Sequence, residues 1–215
     1  MNAPSHTSPA SRKGMILEQA THLFASQGYN GTPVRAIARA CGVTEAAIYR
    51  HYENKEHLYA EVVRTKAAEH DIGEQLDVLG STGTVEEMLT GVAEYILGFA
   101  TSDPELLQLM ASCCRANDQA AAVLFREVRM PIIEFIRSEL DRRIAAGEVR
   151  PVDTLITARC FVGMVMDCAM CVGVWTKLNA TTLRSRDVVG NNVPIFARGL
   201  SVGPSPEAAQ PGSMT

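Results

Sequence analysis

Apolar residues recur at intervals of three and four along nearly the whole chain, and no stretch alternates as a half-buried strand does, so the expected fold is all-α. Ile16, Ala20, Leu23 and Phe24 carry the period of a first helix behind Ser11, a residue suited to the N-cap, and Gly28 stands where that helix would stop. Thr32-Pro33 has the form of a cap followed by proline at the first helical position; it opens VRAIARAC, which Gly42 ends. Thr44 is placed to cap another short helix, and Asn54 a long one from Lys55. Farther on, the spacing predicts an amphipathic helix from Thr84 to about Ala100. Asp103-Pro104 repeats the cap-and-proline device, Pro131 interrupts or starts a helix that runs to Ala146, and Gly147 closes it. Residues 152–178 read as one unusually apolar helix, and 186–200 as a last helix kinked at Pro194. The chain thus divides into an arm (1–10), a small helical unit (11–58), a larger one (59–200) and a proline-rich tail (201–215), with arm and tail expected to be disordered.

Composition narrows the function. With 215 residues and 47 % apolar content the chain can bury a substantial core. No uncharged apolar run approaches the roughly 20 residues of a membrane span, so no membrane partner is expected. The polar N-terminus lacks the apolar segment of a secretory signal, which points to the cytoplasm and makes the six cysteines reduced thiols rather than a disulfide framework. The net charge of −4 conceals an asymmetry: residues 1–66 carry a net of +3 and the remainder −7. A basic N-terminal piece on an acidic body suits a polyanion partner for the first part alone. No nucleophile–base pair at motif spacing, P-loop or dinucleotide fingerprint is present, so neither an enzyme nor a cofactor is expected.

Residues 34–52, VRAIARACGVTEAAIYRHY, account for the basic piece. A helix of about eight residues, the turn Gly42-Val43-Thr44 and a second short helix form a helix-turn-helix, with Ile37, Ala38, Val43 and Ile48 as the contacts between helices and 45–51 as the recognition helix. The N-terminal residues of such a helix meet base edges; here they are Thr44, Glu45, Ala46 and Ala47. The alanines offer only contact with thymine methyls, and Glu45 either accepts from cytosine or repels phosphate. The backbone amides of 55–57 begin a helix and suit a phosphate, and Arg12 and Lys13 add charge from the arm.

The stretch 16–58, read as IL..A..LFA..GY..T....IA..CGV....IYRHY..KE.L, resembles the DNA-binding domain of the TetR family of bacterial regulators. The resemblance implies an N-terminal helix-turn-helix DNA-binding domain followed by a larger helical ligand-binding and dimerisation domain. It places Tyr49, His51 and Lys55 on or near phosphates and Arg35 within reach of bases. It also implies a homodimer on an operator, joined by the last two long helices as a four-helix bundle. Read without it, Tyr49 is equally a packing residue and Lys55 a solvated one. His51 lacks a Cys or His set at ligand spacing, so no metal is expected.

Helix 152–178 frames the ligand question. Cys160, Met164, Asp167 and Cys171 form one stripe, and Phe161, Val165, Cys168, Val172 and Trp175 a neighbouring one; one faces a partner subunit and the other the body of its own. Asp167 in so apolar a run requires a partner, either a bound ligand or an arginine such as Arg115, Arg126 or Arg129. Phe99, Met110, Phe125, Met164, Asp167 and Trp175 are candidate walls of a pliable pocket for a lipophilic small molecule. Cys113, Cys114, Cys160, Cys168 and Cys171 suit packing, or alternatively the sensing of electrophiles or a soft metal. The expected function is a ligand-responsive transcriptional regulator, a repressor released from a palindromic operator by its inducer. The alternatives are a thiol or soft-metal sensor and a ligand-independent architectural DNA binder.

Overall fold

The computed structural model of the chain describes residues 12–70, 72–79, 83–116, 118–175 and 183–202. The arm 1–10 and residues 203–215 of the tail lie outside them, as do the side chains of Cys113, Cys114 and Arg115. Helices follow one another throughout: α1 (Arg12–Gly31), α2 (Val34–Ala40), α3 (Glu45–Tyr49), α4 (Lys55–Ala68), α5 (Ile72–Leu79), α6 (Val85–Ser102), α7 (Pro104–Ala116) and α8 (Asp118–Leu124). A π-helical turn (Phe125–Arg129) leads into α9 (Met130–Ala145), and α10 (Thr154–Gly173) and α11 (Ser185–Leu200) complete the chain.

Most boundaries have a local cause. The Thr44 hydroxyl accepts from the Ala47 amide, Asn54 Oδ1 from His57 at 2.7 Å, and Thr84 and Glu87 form a reciprocal capping box that opens α6. Gly28 (φ 71°) breaks α1 at its expected end, after which a last turn runs to Gly31. Thr32 departs from expectation. Its hydroxyl does not cap α2 but donates backwards, to the Gly28 and Leu23 carbonyls at 2.9 and 3.1 Å, so it closes α1 instead. The π turn arises where Pro131, at the start of α9, has no N–H to offer; the ladder changes register and the Met130 amide reaches the Phe125 carbonyl.

The buried side chains form one continuous core from Ile16 to Leu200. α1 packs on α4 and α7, and α4 on α8, so the small N-terminal unit is seated on the body rather than tethered to it. Phe24, Tyr29 and Tyr59 make the aromatic centre of that seat, with ring centroids 4.8–6.0 Å apart. In the body α10 lies against α6 and α9, and α11 against α6. α10 is shorter than the predicted 152–178. By length and composition it is apolar enough to cross a membrane, which the count of uncharged residues did not anticipate; Phe161, Val162, Val165 and Ala169 are buried in the protein's own core. Ser201 pairs with Val149 in an isolated antiparallel bridge, so the chain is held one residue past α11.

Candidate nucleic-acid interface

The turn between α2 and α3 exists because Gly42 takes φ 65°, a left-handed conformation that other residues adopt at a penalty. From there Ile37 and Ala38 on α2 and Ala47 and Ile48 on α3 turn inward and are buried. The opposite side carries Thr44, Glu45, Ala46, Tyr49, Arg50 and His51, all exposed. Tyr49 is 47 % exposed, so it does not pack in the core. Ala47 is the one base-facing candidate that the fold removes. It lies on the inner face of a five-residue helix, three positions after its cap, and has no side-chain surface to give a groove.

Arg35 is exposed near the start of α2, and Arg39, one turn later, stands with it around a crevice of about 560 Å³ that Gln27 and Pro33 also line. Arg39 and Arg50 were overlooked in the sequence, although the i,i+4 spacing of Arg35 and Arg39 already puts both on one face. Lys55 is neither free nor fully solvated: its ammonium sits 4.1 Å above the Tyr29 ring, and burial lowers its pKa from the ordinary 10.5 despite the neighbouring Glu56. The phosphate site expected at amides 55–57 is largely occupied from within. Asn54 takes the His57 amide, and the Glu56 carboxylate, held low by the Tyr29 hydroxyl and by its own amide, sits at the same helix end. Tyr52 is buried, and burial drives its phenol up to about 12; among the described residues its hydroxyl has no hydrogen-bond partner, while Lys13 stands 5.9 Å from its ring centroid.

The ligand candidates separate. Phe99 on α6 and Met110 on α7 are both buried, and α10 approaches these two helices closely at Gly173, where a Cβ would meet Leu107 and Ala100. Met164 packs partly on the core. Phe125 and Trp175 are exposed, and the Arg159 guanidinium lies 5.7 Å from the Phe125 ring centroid. Asp167 is exposed as well, so within one copy the premise of a buried carboxylate fails. The two stripes of α10 are thereby assigned: Phe161 and Val165 face the body, and Cys160, Asp167 and Ile156 face outward. On α11 Ile195 is 60 % exposed.

The thiol alternative finds no support at Cys168. Burial, then the charges of Asp167 and Cys171, push the Cys168 thiol up, away from the thiolate that metals and electrophiles require. Among the described residues no group of three or more His, Cys, Asp or Glu is placed to hold a metal.

Comparison with known proteins agrees with this geometry. The family model for bacterial regulatory proteins of the tetR family matches residues 16–62. The HTH-type transcriptional repressor AcnR of Corynebacterium jeikeium is 34 % identical over 146 residues, 68 % of this chain and 72 % of that one. Among solved structures, Bacillus subtilis FadR in complex with stearoyl-CoA shares the fold with a TM-score of 0.69 at 17 % identity, over 86 % of this chain and 98 % of that one. AibR, in complex with isovaleryl coenzyme A and operator DNA, does so at 0.63 and 22 % identity, over 87 % and 98 %.

Proposed function

We propose, for a chain that belongs to the tetR family of bacterial regulatory proteins, that it is a transcriptional repressor whose hold on an operator is controlled by a lipophilic small molecule. The observation that carries this reading is the recognition helix α3: capped by Thr44, buried on one face, it presents Thr44, Glu45, Ala46 and Tyr49 to solvent on the other. Arg35, Arg39, Arg50, His51 and Lys55 surround that face and supply charge for phosphates.

One such helix reads one half-site, and the protein acts as a homodimer. Ile156 on α10 and Ile195 on α11 stand 59 % and 60 % exposed, apolar side chains that a second copy would cover. Joined there, two copies present two recognition helices to successive major grooves, about 34–36 Å apart. The effector enters among α6, α7 and α10, where Phe99 and Met110 lie; an acyl chain is the chemistry that fits such walls. The acyl-coenzyme A molecules carried by the FadR and AibR structures support that class.

The test is selection of binding sites from random duplexes, followed by titration of the best site and of a scrambled one at several salt concentrations. A palindromic site bound at least about a thousandfold more tightly than the scrambled duplex is expected. Equal affinities would point to an architectural binder.

A further inference from the structure

Arg159 and Asp167 are the only charged residues of α10, and both are exposed. They stand eight positions apart, about 12 Å along one helix, so they cannot pair with each other. Among the described residues neither has an ion-pair partner; the Arg159 guanidinium rests beside its own Phe125 ring, 5.7 Å from the centroid. Midway between them is Gly163, four residues after the one and four before the other. Helix geometry then fixes their places. Relative to Gly163 they are displaced by about 6 Å in opposite directions along the axis, and by about 40° in opposite directions around it. A Cβ at Gly163 would meet nothing within 4 Å, so no atom of its own subunit fills the space beside it. Ile156 lies on the same face, about 20° from the line of Gly163 and 59 % exposed.

A two-fold axis standing over Gly163 reverses both displacements at once. It carries Asp167 of a second copy onto Arg159 of the first, and repeats the exchange on the other side. We propose that two copies of this chain meet with α10 antiparallel across Gly163, and that Arg159 and Asp167 form two reciprocal ion pairs that set the register of the homodimer. The proposal rests on reading the protein as a homodimer. The occupant of this face is a second copy because its charges are complementary to themselves under the rotation. A parallel arrangement would set Arg159 on Arg159 and Asp167 on Asp167, so the same two residues reject it. Gly163 lets the backbones approach, and Phe125 holds the guanidinium in place beforehand, which lowers the entropy lost on pairing. Asp167, once covered, gains the partner that a carboxylate in so apolar a helix requires.

The experiment measures the dimer dissociation constant of the full chain without DNA, by sedimentation equilibrium and native mass spectrometry, with circular dichroism as the check on folding. The samples are the wild type, Arg159→Asp, Asp167→Arg, an equimolar mixture of these two variants, and the double variant. Each single reversal sets like charges together at both pairs, so each should dimerise at least about a hundredfold more weakly than the wild type. Mixed, the two should form a heterodimer, because both of its pairs are again opposite in sign. The double variant should return to within about tenfold of the wild type. Folded single reversals that dimerise like the wild type, or a mixture that gives no heterodimer, overturn the pairing. Should either reversal fail to fold, Arg159→Lys decides: a carbodiimide should join position 159 of one copy to Asp167 of the other, and a dimer without that crosslink overturns the pairing. A wild type that stays monomeric at micromolar concentration defeats the homodimer reading itself, a different outcome from a dimer indifferent to these charges.

Discussion

Tyr49 and Tyr52, three positions apart, do opposite things. Tyr49 is exposed beside the recognition face, so Tyr49→Ala should leave stability within about 0.5 kcal/mol while weakening operator binding about tenfold. A variant that binds normally would remove Tyr49 from the interface. Tyr52 is buried with a hydroxyl that has no partner among the described residues, and such a group is a liability that its removal relieves. Tyr52→Phe should be neutral or more stable by up to about 1 kcal/mol in urea unfolding, and a clear loss would mean the hydroxyl has a partner. Gly42 is a third case: a Cβ there would meet nothing within 4 Å, so only backbone strain opposes substitution. Gly42→Ala should therefore destabilise by about 1–2 kcal/mol, measured the same way. Residue identity announced Gly42 and the caps Thr44, Asn54 and Asp103, because their effect is local. It misled at Ala47 and Asp167, because exposure depends on which face another helix covers, and on a partner that one chain's sequence does not contain.

At the scale of elements, the long amphipathic helices were legible from their period and caps, and the helix-turn-helix from its spacing. The short helix α5 and the π turn were not. The π turn has no capping signature and follows from the missing N–H of Pro131. The junction of α4 with α6 and α7, where the Asp103 carboxylate receives Lys66 and His70, was invisible because Asp103 lies 33 residues from His70 in the chain. Its titration has a definite sign. A carboxyl held below its ordinary 3.8 stabilises the fold in full above that value, and the contribution is lost as pH falls through the lower, folded value. The stability difference between the wild type and Asp103→Asn should hold steady above about pH 5 and shrink below 3.8. A difference unchanged down to pH 2 would mean that the ionised carboxylate contributes nothing.

At the scale of the whole molecule, one continuous core links the helix-turn-helix to the body, while Ile156 on α10 and Ile195 on α11 stay exposed. Ile195→Glu places a charge on that face and should yield a folded monomer by sedimentation, with operator affinity lower by about a hundredfold or more through loss of the second half-site. The most direct test of the account is native mass spectrometry of the purified protein mixed with its selected palindromic duplex and with a scrambled one, before and after addition of a long-chain acyl-coenzyme A. A dimer that binds only the palindrome, and leaves it as the acyl ligand appears on the protein, is the predicted result. A monomer, or a dimer that holds both duplexes alike with and without the ligand, would contradict it.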